Sequence, residues 1–428
     1  MKTHHQLCSL FAAGCVFTGF FSAQAASAAE PLDHVRTVFY IYLENHNWTQ
    51  PNGNVNTSPT SGIEQIKGNP AAPFINGLID PHNPFSADVS YTNNCYNVLA
   101  TPSGLNPSIH PSEPNYIWQE GGSNFGVTGD ADPYMDATDA SGNVFALPNI
   151  SGLLQTAGIS WKSYQEDIDL VPTAGIVNQP AANSLTSTVA PRAQWTVPLS
   201  GFSGTSASYI NPYNNSNQYN FAPKHDGELF FTTTNGGTTT TGDYSTSNPE
   251  VHHYRPLQEL ERDLNNNRVA RFNIITPDQY NDMHTGLTGG FTYNGIHYTG
   301  DAANIAQGDN FLRTVVPMIM ASDAYRHNGL IVIWNDETEA QNSTDTTEND
   351  TSHSIMEIMI SPLAKGNAYH NDSITYTHSS DVETLQEIFP IGPEQGQAFL
   401  GQTTLDVTGN HDYSDLFLDH PDHGHDQD

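Results

Sequence analysis

Val35–Trp48 reads V-R-T-V-F-Y-I-Y-L-E-N-H-N-W, and its interpretation decides the fold. From Val38 to Leu43 the residues are apolar, β-branched or aromatic without a break, the pattern of a strand buried on both faces. The run ends abruptly on Glu44, Asn45 and His46. In open α/β sheets, ligands bind in the crevice beyond the carboxyl ends of the strands. A carboxylate and an amide placed there are positioned as ligands for a metal or a phosphate.

Two further strands are expected to end the same way. Arg271–Pro277 is an apolar run followed by Asp278, Asp282 and His284, and Gly329–Trp334 runs straight into Asp336 and Glu337. Ile150–Ala157 reads as a helix, Gly158–Tyr164 as a strand, Arg255–Asn266 as a helix, and Gly308–Arg326 as the clearest helix of the chain, kinked by Pro317. Ser354–Pro362 is expected as another strand, and Ser61–Lys67 as a short helix. Alternating helices and strands predict a single α/β domain with a central, mostly parallel sheet flanked by helices. In such a sheet the three acidic strand ends converge on one edge.

The other segments frame that domain. Residues 1–28 carry Lys2, an apolar run from Leu7 to Phe21 and small residues suited to cleavage, as in an export signal. The domain is drawn over 29–410, with 167–248, rich in Asn, Ser, Thr and Gly, as an insertion or lid. Residues 411–428 read as a disordered acidic, His-rich tail. Removing the signal leaves Cys95 as the lone cysteine, so no internal disulfide is expected and the core must carry stability. Secreted or periplasmic placement follows.

With 46 acidic against 13 basic residues, the formal net charge is −33. That excludes nucleic acid as a partner and argues against docking on anionic membranes. No run is long enough for a membrane anchor. The oligomeric state is left open.

Carboxylates converging on one edge would repel and raise one another's pKa, and a cation resolves the conflict. Oxygen ligands from Glu44, Asn45, Asp336 and Glu337, with the Ser112 hydroxyl, suit Mg, Ca or Mn; histidines would admit Zn. Ser112 stands in Ile109-His110-Pro111-Ser112-Glu113-Pro114-Asn115-Tyr116, where a helix is expected to begin with Ser112 as its N-cap. A helix N-terminus beside a metal favours phosphate and makes Ser112 a candidate nucleophile. His284, His353 and His378 are candidates to bind phosphate or protonate a leaving group. Lys224-His225 stands out where basic residues are scarce. A capping box of Ser380 and Glu383 is expected to open a helix at Asp381.

Taken in order, L-E-N-H, H-P-S-E-P-N-Y, G-I-S-W-K-S-Y, K-H, I-I-T-P-D-Q-Y-N-D-M-H, I-V-I-W-N-D-E and I-S-P-L-A-K with Y-T-H-S-S resemble the phosphoesterase family of bacterial and fungal acid phosphatases and phospholipases C. The resemblance runs from about Val38 to Phe389 and implies an alkaline-phosphatase-like fold. It implies Ser112 as nucleophile, Asn115 as a phosphate or supporting contact, and metal ligation by Glu44, Asn45, Asp336 and Glu337. His46-Asn47-Trp48 departs from the E-N-R-S-F-D of the phospholipases, and Asp226-Gly227 after His225 departs from the family's K-H-N-P. The implied activity is metal-dependent hydrolysis of small phosphate monoesters, with one ion. Phospholipase C activity on phosphodiesters, or a non-catalytic metal-binding surface protein, are the alternatives.

Overall fold

The computed structural model describes residues 31–51, 53, 63–101, 104–136, 142–169, 195–207, 209–339, 353–401 and 412–419. The export segment therefore lies outside the described residues. Of the acidic tail only 412–419 is described.

An eight-stranded sheet forms the centre. Its strands are β1 (Thr37–Leu43), β2 (Val89–Thr92), β3 (Trp161–Gln165), β4 (Tyr254–Pro256), β5 (Phe272–Thr276), β6 (Gly329–Asn335), β7 (Glu357–Ile360) and β8 (Tyr369–His370). Their order across the sheet is β8-β2-β7-β6-β1-β5-β3-β4. The neighbours β6, β1, β5, β3 and β4 are parallel throughout, and β7 alone runs against both strands beside it. Mixed α/β architecture with a mostly parallel sheet is thus the observed fold class.

Every residue of β1 is buried. Phe39, Ile41 and Leu43 pack to one side with Phe311, Val315 and Ile319, while Val38, Tyr40 and Tyr42 pack to the other with Ile150, Leu154, Val382 and Leu385. This two-sided burial is why the strand reads as an unbroken apolar run. The helices that cover the faces are α1 (Ser112–Gly121), α2 (Ile150–Thr156), α3 (Glu259–Asn265), α4 (Asp301–Met320) and α5 (His378–Ile388). Pro317 sits inside α4, and Met318 is only partly buried against the core.

Several local expectations are corrected. Residues 63–67 form no helix. The strand expected over 354–362 shrinks to β7. Thr377, not Ser380, caps α5: its hydroxyl accepts the Ser379 N–H, and the Ser380 hydroxyl accepts the Thr377 N–H, so the helix starts at His378. A disordered end does not hold for 412–419, because Tyr413, Leu416 and Phe417 are fully buried and Phe417 bridges to Ala364. Three apolar side chains among acids are enough to dock the segment.

Beneath the sheet lies a buried acidic pair. Asp381 accepts the Tyr40 hydroxyl at 2.5 Å, and neither oxygen of Glu357 has a hydrogen-bond partner. Burial pushes Asp381 up to about 8, and raises Glu357 well above the carboxylate range with Asp381 adding to it. Such groups hold protons in the fold that the unfolded chain releases at about pH 4. Their stabilisation is complete below that pH and is lost as pH rises through the folded-state value. The melting temperature of metal-free protein is accordingly expected to fall from about pH 4 to about pH 8. Glu357→Gln should flatten that slope; an unchanged slope in the variant would refute the assignment.

Candidate active site

The pairing of β1 with β6 sets the site. Leu43 lies opposite Asn335, so the next residue of each strand, Glu44 and Asp336, emerges at the same level. The Asp336 N–H donates to Leu43 O at 3.2 Å, and Asn335 Nδ2 donates to Glu44 O at 2.6 Å, which fixes both loops. The chain beyond β5 returns to the site, where Asp282 O accepts the Glu44 N–H at 2.8 Å.

Ser112 is the first residue of α1 rather than its cap; Pro111 holds the cap position without a side-chain hydrogen bond. The hydroxyl is thereby free to point away from its own helix. It donates to Glu44 Oε2 at 2.9 Å, and Glu337 Oε1 lies 3.3 Å from it. One turn on, on the same helical face, Tyr116 donates to Glu44 Oε1 at 2.5 Å. His225 stacks on the Tyr116 ring at 5.1 Å, places Nε2 3.2 Å from Glu44 Oε1, and sets Nδ1 3.2 Å from Asp282 Oδ2. It comes from the short 3-10 turn Pro223–His225 of the insertion.

Burial raises every acid of this cluster. Glu44 is pushed up to about 8 despite its hydroxyl donors, with Glu337 nearby adding to the rise. Asp336 is raised well above the carboxylate range by burial, then by Glu44 and Glu337. Asp282 rises for the same reasons, burial first and Glu44 second. Burial holds the neighbouring rings neutral: His225 falls well below its ordinary value, and His284 falls to about 4, with Lys224 adding to both.

Both oxygens of Asp336 and Nε2 of His225 are buried without a hydrogen-bond partner. Bare acceptors on like-charged groups are what a divalent cation would satisfy. Glu44, Asp336, Glu337 and the Ser112 hydroxyl are oxygen donors that could hold one ion. Glu44, His225 and His284 also bring one ligand atom each within 4.8 Å of one another, adding a nitrogen-bearing set that shares Glu44. The sequence reading had offered oxygen ligands for a single ion.

Other candidates fall into different places. The side chain of Asn45 is partly exposed and makes no hydrogen bond to these carboxylates among the described residues. Asn115 is a strut: its amide donates to Ile109 O, Pro111 O and Glu337 Oε2, and its Oδ1 faces His378 Nε2 at 3.1 Å. His378 is buried and bonded within the fold. Its Nε2 reaches Asp336 O at 2.7 Å, its Nδ1 accepts from Trp334 Nε1 at 3.3 Å, and burial lowers its pKa to about 4. His353 is buried just before Ser354, which bridges to Thr49. Asp278 parts company with Asp282: it turns toward Glu166, which accepts the Asp278 N–H at 2.9 Å.

Sequence reasoning missed Tyr116, His110 and the role of Asp282. Tyr116 is four residues past Ser112, a spacing that signals a shared helical face. His110, partly exposed, sets Nδ1 2.7 Å from Glu337 Oε2. Lys224 pairs with Asp130 and is held above its ordinary pKa by the surrounding acids, Asp130 foremost, against the opposing effect of burial.

A model of the phosphoesterase family matches residues 44–392. An acid phosphatase of Aspergillus fumigatus is 21% identical over 301 residues, 70% of this chain and 50% of that protein. A probable acid phosphatase of Kluyveromyces lactis is 23% identical over 175 residues, 41% of this chain and 30% of that protein. The chain thus spans half or less of the length of these relatives. Among solved structures, the lipoteichoic acid synthase LtaP from Listeria monocytogenes covers 92% of this chain and 82% of its own, at 12% identity and a TM-score of 0.45. A protein in the alkaline phosphatase superfamily from Vibrio parahaemolyticus covers 85% and 68%, at 11% identity and a TM-score of 0.43.

If the carboxylates are arranged for a cation, removing one should help the metal-free protein and harm the loaded one. Asp336→Asn is expected to melt at or above the wild type in chelator, and to lose the rise in melting temperature that a divalent ion gives the wild type. A variant that gains as much from the ion as the wild type would rule Asp336 out as a ligand.

Proposed function

The chain belongs to the phosphoesterase family, and from that premise we propose that it is an exported hydrolase of phosphate monoesters that uses Ser112 as nucleophile beside a divalent cation. The observation that carries the reading is the Ser112 hydroxyl, buried at the start of α1 and donating to Glu44 among carboxylates with bare oxygens. Mg, Ca, Mn and Zn all suit the donor set. When bound, the ion would lower the pKa of the serine hydroxyl and offset charge on the phosphoryl group.

The remaining chemistry belongs to the chain's own residues. N–H groups at the start of α1 and the Lys224 ammonium are suited to hold the phosphoryl oxygens. Ser112 Oγ attacks phosphorus, and its proton passes to Glu44 Oε2, which already accepts its hydrogen bond. The bond from phosphorus to the ester oxygen breaks as the Oγ–P bond forms, giving a phosphoserine. His110, 29% exposed and with Nδ1 2.7 Å from Glu337 Oε2, protonates the leaving alkoxide. Water then attacks the phosphoserine and gives a proton to the now neutral His110; the Oγ–P bond breaks, inorganic phosphate leaves, and Glu44 returns its proton to Oγ. Tyr116, Asn115 and His378 act as positioning residues for Glu44, Glu337 and Asp336.

Export is supported by the basic, apolar and small-residue order of residues 1–28. Among the described residues no helix is long and apolar enough to cross a membrane.

Phosphate release from p-nitrophenyl phosphate tests the reading. Ser112→Ala is expected to lower kcat by roughly a thousandfold or more while the melting curve stays cooperative. Retained turnover would reject the nucleophile. Faster release of phosphocholine from phosphatidylcholine than of phosphate from the monoester would assign the same site to phospholipase chemistry. Ion binding without turnover of either ester would leave a non-catalytic metal-binding protein.

A further inference from the structure

Two residues beyond each of two active-site carboxylates stands another ligand-type side chain: His46 follows Glu44, and Glu339 follows Glu337. β1 and β6 leave the sheet side by side, and the loops that follow them bring His46 and Glu339 together. Asp301, the first residue of α4, completes the group. His46 Nε2 lies 2.9 Å from Asp301 Oδ1 and 3.8 Å from Glu339 Oε2, and one ligand atom from each residue lies within 4.8 Å of the others. Ligands held at 2.0–2.2 Å around a tetrahedral ion stand about 3.3–3.6 Å apart, between those two distances.

Burial and charge favour an ion there. The His46 side chain is 1% exposed, while those of Asp301 and Glu339 are 12% and 25% exposed. The ring is thus set in the wall, and the carboxylates form a mouth that a hydrated ion can reach. Contacts beyond the ring hold the Asp301 carboxylate and the Glu339 backbone. Asp301 Oδ2 accepts the Glu64 N–H at 2.7 Å, and the Glu339 N–H donates to Asn47 Oδ1 at 2.9 Å. Two carboxylates leave the group negative even around a protonated imidazole. A divalent ion with a neutral ring balances it.

We propose that His46, Asp301 and Glu339 form a second divalent-cation site, for an ion of the zinc or manganese class, that clamps the loops carrying Glu44 and Glu337 to the N-terminus of α4. The ion is structural: it touches no reacting atom, and its ligands differ from those of the active site. The site stands whether or not the chain turns over phosphate esters.

The test is the number of ions bound per chain. Metal-stripped full-length protein is dialysed against zinc or manganese and its metal content measured. Wild type is expected to hold one ion more than the Asp301→Asn/Glu339→Gln variant, and Asp336→Asn is expected to keep that ion. Equal metal content in wild type and double variant would reduce the cluster to an ion pair and overturn the proposal. Where the double variant does not fold, Asp301→Asn alone is read by titration. A dissociation constant for this ion weaker by at least about tenfold supports the site, and an unchanged one overturns it.

Discussion

The structure turns on one constraint: two parallel strands in fixed register end on acids at the same level. With Leu43 opposite Asn335, Glu44 and Asp336 have nowhere to go but toward each other, at the edge of a sheet whose strands are buried on both faces. Burying two like charges side by side is among the costliest arrangements a core can hold. The rest of the site compensates. Hydroxyls of Ser112 and Tyr116 donate to Glu44, and Lys224 lowers the pKa of Glu44 and of Asp282 from the side. Asp336 receives the least help, and its oxygens are bare.

The insertion takes on a clear physical role in that setting. Its described part buries Phe202, Tyr209, Tyr219 and Phe221 in a small cluster of their own with Ile168, so it has the packing to hold a side chain in place. What it delivers is Lys224 and His225, in a chain with only 13 lysines and arginines. His225 is clasped on three sides, by the Tyr116 ring, Asp282 and Glu44. A ring so confined and so desolvated is suited to offering a lone pair, not to carrying protons to and from solvent. The His110 side chain is 29% exposed against 1% for His225.

The sequence made the strands legible because burial on both faces writes itself as an unbroken apolar run, and it made their ends legible because ionisable residues interrupt that run. It did not reveal direction: β7 is as fully buried as β1 yet runs antiparallel to its neighbours, since burial marks a strand the same way in either direction. Ser112 was recognisable from its neighbours as a cap and a candidate nucleophile, but only the fold shows its hydroxyl turned to Glu44. His378 looked like a proton donor because its neighbours are polar. Its contacts in the fold, to Trp334 Nε1 and the Asp336 carbonyl, join segments more than forty residues apart in sequence. Tyr413, Leu416 and Phe417 were hidden by averaging over an acidic segment.

Bare buried carboxylates alone do not mark an active site in this protein. Glu357 also lacks donors on both oxygens, and Asp381 lacks one on Oδ2. That pair faces Tyr40 and sits among Cys95, Tyr376 and Tyr413 in the apolar layer, with no histidine bonded to it. Protonation can settle such a pair at no cost to any other group, because nothing near it needs the charge. Protonating Glu44 would instead leave the Ser112 hydroxyl, which donates to it, without a base. The difference lies in what surrounds the acids: a hydroxyl, neutral imidazoles and a lysine, all supplied by distant segments, make sense only if the carboxylates stay charged. A divalent cation is the kind of group that would keep them charged.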